Sequence, residues 1–337
     1  MSDLTGPLGV LLADERVTDI LINGPGEVWV DRGSGLVRGP RLRLGGAAEL
    51  RAYAQQLAAS CGRRLDDASP CVDARLPDGS RLHAVLPPIA RRGPYLSLRL
   101  YRRQSFGLAD LVEPGIAELL SAMVRARLAF LVTGATGSGK TTLLNALLGE
   151  VPPTERIVLV EDFAELRPQH PHVVGLETRT SNVEGAGSVG LAQLVREALR
   201  MRPDRIVVGE ARGAELVDLL AALNTGHEGG AGTLHANAPA EVPARLEALG
   251  LHGGLGRAAL HAQISGALQV VVHVSRVPEG RAVTEIGLFR AGDDALVVVH
   301  PVWARGWGPS TAAPDLARLL AARGVERTPA LLTGDAR

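Results

Sequence analysis

The chain has 337 residues, 36 of them basic and 36 acidic, so its formal net charge is zero. Two domains are expected at about 150 residues each, and 46% hydrophobic with 21% charged residues excludes a disordered chain. Zero net charge argues against nucleic-acid binding by bulk electrostatics, a local basic stripe aside, and no apolar run approaches the roughly 20 residues of a transmembrane helix.

In chain order, DILIN (19–23) and EVWVDR (27–32) read as a hairpin around Gly24, Pro25 and Gly26. Residues 46–61 carry apolar positions at helical spacing, and RLHAVLP (81–87) and YLSLRLY (95–101) alternate as strands. Residues 1–101 are therefore expected to form a smaller mixed α/β domain, with 102–114 as a linker. From 115 to 300 the pattern changes to strands alternating with helices, which predicts a mostly parallel βαβ sheet. Its strands are expected at 128–133, 156–161, 205–210, 232–236 and 270–274, with helices such as 190–201 and 213–223 between them. Residues 301–337 are rich in Pro, Gly and Ala and read as a tail with one short helix at 315–323. The whole is expected to be cytoplasmic, without direct insertion into a membrane.

Two cysteines, Cys61 and Cys71, cannot build a four-cysteine zinc site, and a cytosolic disulfide is not expected. The basic residues are more telling: 35 are Arg, and Lys140 is the only Lys. A compact three-donor ammonium that survives alone marks a tight site that a planar guanidinium cannot fill.

Lys140 lies in G-A-T-G-S-G-K-T, a full G-x-x-x-x-G-K-[ST] match between an apolar strand and an expected helix. Gly134, Ala135, Thr136, Gly137, Ser138 and Gly139 would turn successive N–H groups inward on phosphates, with the helix N-terminus adding partial positive charge. Lys140 would reach the β- and γ-phosphates, the Thr141 hydroxyl would ligate Mg²⁺, and Thr142 would follow on the same turn. This is a nucleoside triphosphate site. The N-K-x-D guanine motif needs a second lysine that the chain lacks, and no LSGGQ-like signature occurs. A small-molecule kinase stays open on the loop alone.

The strand RIVLVEDFAEL ends in Glu161 and Asp162, with Glu165 three residues on. Acidic groups at the C-terminal edge of a parallel strand sit beside the phosphates, although a solvated acidic turn explains any one of them. RIVVGE (205–210) resembles a Walker B strand with Gly209 in place of the usual Asp, leaving Glu210 to orient water and hold Mg²⁺ through its water shell. In TGHEGGAGTLHANAP, His227 and His235 flank a glycine-rich turn and are read as γ-phosphate or interface sensors. Zinc is disfavoured because the acidic segments lack ligand spacing.

Taken in order, GATGSGKT, VEDFAEL, NVEGAGSVGLAQLVREALRMRPDRIVVGEARGAE and TGHEGGAGTLHANAP resemble the secretion-superfamily ATPases that power type II secretion, type IV pili and conjugation. VTDILINGPGEVWVDR and DARLPDGSRLHAVLPP resemble the N-terminal domain of the CpaF/TadA branch, the ATPases of tight-adherence (Flp) pili; the match spans roughly residues 10–290. The resemblance implies a C-terminal RecA-like P-loop domain, ATP with Mg²⁺, a ring-shaped homohexamer, and inner-membrane platform proteins as partners, with no obligatory nucleic acid. It also implies arginine fingers from the N-terminal domain, here Arg81 and Arg99, with Arg75 and Arg179 as further candidates. Glu161, Glu165 and Glu210 would act on water or the metal shell. A nucleotide-gated assembly switch and a DNA-stimulated RecA-like translocase are the competing readings.

Overall fold

Period-two alternation decides the architecture of the first unit. In this computed structural model, which describes residues 6–41, 45–101, 106–179 and 187–333, the chain divides between Gln104 and Ser105. The first unit is an antiparallel sheet of β1 (Asp19–Ile22), β2 (Val28–Asp31), β3 (Leu36–Arg38), β4 (Cys71–Arg75), β5 (Arg81–Val85) and β6 (Tyr95–Arg99). Their spatial order is β3-β2-β1-β6-β5-β4. Two helices accompany it, α1 (Gly9–Ala13) and α2 (Ala47–Ser60). Helix α2 presents Leu50, Tyr53, Ala54, Leu57 and Ala58 at helical spacing. They join Ile20, Ile22, Val28, Val30, Leu82, Ala84, Leu96 and Leu98 in one core on one face of the sheet. The short strands β3 and β4 were not expected from the sequence, and both are edge strands.

In the second unit the expected linker is only partly a linker. Residues 102–105, with Arg102 and Arg103, lie outside the described residues; α3 (Leu108–Leu111) then forms, and α4 (Pro114–Arg125) starts on a proline suited to a first helical turn. There follow β7 (Phe130–Thr133), α5 (Lys140–Gly149), β8 (Ile157–Glu161), β9 (Val173–Glu177), α6 (Leu191–Ala198), β10 (Arg205–Val208), α7 (Glu215–Asn224) and β11 (Ala231–Leu234). The rest is α8 (Val242–His252), α9 (Arg257–Ala267), β12 (Val270–Val277), β13 (Gly280–Ala291), β14 (Val297–Ala304), β15 (Gly308–Pro309), α10 (Ala313–Ala322) and α11 (Ala330–Thr333).

The nine-stranded sheet runs β15-β14-β13-β12-β7-β11-β10-β8-β9. From β12 to β9 every pairing is parallel, and β13 to β15 extend the sheet antiparallel. Parallel strands buried on both faces read as continuous apolar runs, as β7, β8 and β10 do. Phe130 and Val132 face the layer with Leu119, Leu144 and Leu316, while Ala129 and Leu131 face the layer with Leu194, Leu220 and Ile264. The expected tail is not separate. Residues 301–304 complete β14, and Leu316, Leu320, Leu331 and Leu332 are buried in the first of these layers. Among the described residues no helix is long and apolar enough to cross a membrane.

Candidate active site

All the parallel strands point the same way, so the segments that leave their C-terminal ends meet along one edge of the sheet. The phosphate loop leaves β7, the acidic segment leaves β8, Gly209 and Glu210 follow β10, and His235 follows β11. Gly134 shows why the loop needs glycine at its start. It has φ +149°, and a Cβ there would lie 2.3 Å from the Val274 carbonyl oxygen of β12 and 2.6 Å from Ser138 Oγ.

Lys140 opens α5 and is only 7% exposed. Its Nζ donates to the carbonyls of Gly134 (3.0 Å) and Ala135 (2.9 Å) and lies 3.1 Å from His235 Nδ1. Thr141 and Thr142 share that first helical turn, and Ala135 and Thr136 form the exposed crown of the loop. Ser138 Oγ is buried without a hydrogen-bond partner among the described residues. An orphaned hydroxyl, a loop closed to any Cβ at Gly134, and an ammonium held by its own loop's carbonyls fit a bound anion. Thr141, next in the helix, carries a hydroxyl of the kind that can ligate a metal counter-ion.

His235 links the lysine to the carboxylates. Burial and the Lys140 charge hold its pKa below the usual imidazole value. In the neutral ring, Nδ1 must accept from the donor-only ammonium, which leaves the proton on Nε2. That nitrogen lies 2.7 Å from Glu210 Oε1 but off the hydrogen-bond line, so Oε1 is buried without a hydrogen-bond donor among the described residues. Burial pushes the Glu210 pKa up, and the hydrogen bond and charge of Arg212 outweigh it, so the net shift is downward and the group is a carboxylate. Arg212 Nη2 donates to Glu210 Oε2, and its Nη1 lies 3.8 Å from Asp162 Oδ2. Arg212 was not singled out in the sequence; its place directly after the Glu210 segment was the available signal. The Arg212 and Gly213 N–H groups in turn donate to Glu215 Oε1, at 2.5 and 2.7 Å.

The acidic segment does something other than expected. Glu161, 4% exposed, accepts through Oε1 from the N–H groups of Glu165 and Leu166, both at 2.9 Å. Desolvation raises its pKa to about 7 against those two bonds. The Glu165 carboxylate is on an exposed residue, and the contact it makes with Glu161 is through its backbone. Glu161 is thus a buried brace for the turn. It also explains the missing Walker B aspartate: a Cβ on Gly209 would lie 2.8 Å from Glu161 Cγ.

The remaining expected site residues have partners of their own, each within its own unit. His227 precedes β11, so it sits at the opposite edge of the sheet from His235, with Nδ1 3.3 Å from the Ala222 carbonyl. Arg81 and Arg99 are cross-strand neighbours in the first sheet, paired there with Asp73 (2.5 Å) and Asp19 (3.3 Å). Arg75 is the cross-strand partner of Arg81 in the same row. Arg179 donates to the Gly187 carbonyl at 2.6 Å; residues 180–186, which include most of the NVEGAG segment, lie outside the described residues. Among the described residues no group of three or more His, Cys, Asp and Glu could hold a metal ion by itself.

The structure adds neighbours that the sequence did not suggest. Arg281 Nε and Arg276 Nη2 reach the Gly137 carbonyl at 3.0 and 3.5 Å. Behind the loop, His273 Nδ1 lies 2.9 Å from Thr133 Oγ1, and burial lowers the pKa of this histidine.

Comparison with known proteins places these features in context. The family model described as type II/IV secretion system protein matches residues 3–286. A Mycobacterium tuberculosis protein whose name refers to conjugal transfer is 54% identical over 336 residues, covering 96% of this chain and 95% of its own. The type IV secretion system protein PtlH of Bordetella pertussis is 33% identical over 334 residues, covering 89% and 93%. Among solved structures, the pilus retraction motor PilT with bound ADP superposes with a TM-score of 0.60 at 21% identity, over 96% of this chain and 87% of that one.

Proposed function

Because the chain belongs to the type II/IV secretion system protein family, we propose that it is an ATP-hydrolysing motor for secretion, conjugation or pilus assembly. The observation that carries the reading is the unbroken line Lys140–His235–Glu210–Arg212–Asp162 along the edge of the sheet. It joins a phosphate loop to a half-buried carboxylate that has one oxygen without a donor.

In this reading Lys140 leaves the Gly134 and Ala135 carbonyls for the phosphates, where its charge offsets the negative charge that develops during transfer. Release of Lys140 frees His235 Nδ1, and the ring reports the loss of its partner to Glu210. Glu210, held ionised by Arg212, orients the attacking water through the free Oε1. Thr141, with Glu210 through water, would hold Mg²⁺, which supplies charge neutralisation on the phosphates. Glu161 keeps the β8 turn and Gly209 in place for this geometry.

The finer features are proposals of the same kind. The working form is a homohexamer whose sites are completed by arginines from the first unit, chiefly Arg81 and Arg99, each exchanging its present carboxylate partner for the nucleotide. Its force acts on inner-membrane platform proteins, with the motor held peripherally at the cytoplasmic face. The first-unit segments quoted above, and a cysteine count too low for a zinc module, favour the CpaF/TadA branch.

Mass by light scattering, with and without Mg²⁺ and a slowly hydrolysed ATP analogue, tests the assembly. A nucleotide-stabilised hexamer whose specific activity rises with concentration is expected. A monomer of constant specific activity would remove the roles given to Arg81 and Arg99. Lys140→Ala is expected to abolish turnover with an unchanged circular dichroism spectrum, and full turnover in that variant would overturn the site.

A further inference from the structure

The β12–β13 hairpin reaches past the end of β7 and presses on the phosphate loop from the side away from Glu210. Three contacts define this. The Val274 carbonyl occupies the space a Cβ on Gly134 would take; Arg276 Nη2 lies 2.9 Å from where a Gly137 Cβ would be; and Arg281 Cδ lies 3.2 Å from the corresponding point on Gly139. Each glycine that shapes the loop therefore also admits an atom of the hairpin.

Arg276 and Arg281 are direct cross-strand partners. Like charges set opposite one another destabilise a strand pair, so this pairing gives the hairpin no stability of its own. Neither guanidinium is ion-paired among the described residues. Glu279, the one carboxylate in the turn between them, lies 4.0 Å from Arg305 instead. Both arginines converge on the same acceptor, the Gly137 carbonyl, and each keeps further N–H donors, since a guanidinium has five. Two exposed cations without a carboxylate partner among the described residues are thus fixed at the rim of the loop.

We propose that Arg276 and Arg281 are positioning residues of the nucleotide site and set its affinity. They tie the Gly137 carbonyl outward, so that the N–H groups of the following residues face the phosphates, and they add two positive charges beside the triphosphate. The inference rests on the nucleotide-binding reading above and extends it to a hairpin more than a hundred residues away in sequence. Because the contacts lie outside the reacting atoms, binding should suffer more than turnover.

The test is equilibrium binding of a fluorescent ATP analogue to the full chain, with ATPase kinetics, for the wild type, Arg276→Ala, Arg281→Ala, the double alanine variant and Lys140→Ala. Either single change should raise Kd and KM about tenfold, and the double change by more, with kcat within about twofold. The salt dependence of Kd should also flatten, because fewer charges face the phosphates. Lysine at both positions should recover the salt dependence and part of the affinity, having charge but not the Nε bond. Arg290→Ala, farther along β13 and 3.5 Å from Asp315, controls for loss of any arginine on that strand. Wild-type Kd and KM in the double alanine variant, with Lys140→Ala inactive, would overturn this inference and leave the site intact. An equal fall in kcat and affinity together with loss of ellipticity would reduce the arginines to a fold role and overturn it as well. A wild type that binds no nucleotide would overturn both readings together.

Discussion

Glu161→Gln should make the second unit more stable at neutral and alkaline pH. Gln retains an acceptor oxygen for the N–H groups of Glu165 and Leu166 and removes only the ability to ionise. In the native state burial raises the carboxyl from 4.5 to about 7. At about 1.4 kcal/mol for each tenfold change in proton affinity, that is roughly 3 kcal/mol. The sign follows from proton counting: between 4.5 and 7 the folded chain holds a proton that the unfolded chain has lost, so stability falls as pH rises through that window and levels off above it. Urea unfolding at about pH 5 and about pH 8 measures the effect. In a Trp29→Phe background the remaining tryptophans, Trp303 and Trp307, both belong to the second unit, and Trp303 is buried. Wild type and Glu161→Gln should be close at the lower pH, and the variant should lead by up to roughly 3 kcal/mol at the higher one. Parallel pH slopes in the two proteins would refute the argument, because they would mean that Glu161 ionises in the native state as easily as in the unfolded one.

Two further expectations follow from placement. His235→Ala removes the 3.1 Å contact with Lys140 and the link to Glu210, so it should lower kcat, whereas His227→Ala at the far edge should leave kcat and nucleotide Kd unchanged; ATPase kinetics and a nucleotide titration of both variants decide this. Leu316→Ala, at a fully buried position of α10, should cost about 2–5 kcal/mol in the same unfolding assay. A negligible loss would show that the segment after residue 304 does not support the second unit.

The phosphate loop was legible because its chemistry is local. Eight consecutive residues carry the turn glycines, the lysine and the hydroxyl proposed to hold the metal, and the apolar runs of β7, β8 and β10 are what a doubly covered parallel sheet requires. The antiparallel extension was less legible. In β13, Arg281, Thr284, Glu285 and Arg290 interrupt the apolar pattern, and the register shifts in its pairings, at His273/Val274 of β12 and at Ile286/Gly287 of β13 itself, break the period-two alternation. The 301–337 stretch looked like a tail because Pro, Gly and Ala dominate its composition, yet a few leucines at helical spacing anchor it to the core.

By itself, then, the sequence determined the α/β class, the loop that would hold phosphates and the acidic and histidine segments that accompany it. Tertiary structure alone decided what those segments do. His227 and His235 are close in the chain, but β11 runs between them, and its four residues, at roughly 3.3 Å each, carry them to opposite edges of the sheet. Glu161 reads as a residue acting on water or the metal shell until Gly209 is seen to leave room for it to turn inward. Arg276 and Arg281 read as two among 35 arginines until strand pairing sets them over Gly137. Local residue order specifies which groups a segment carries; the direction of each strand and the partner beside it decide which of those groups meet.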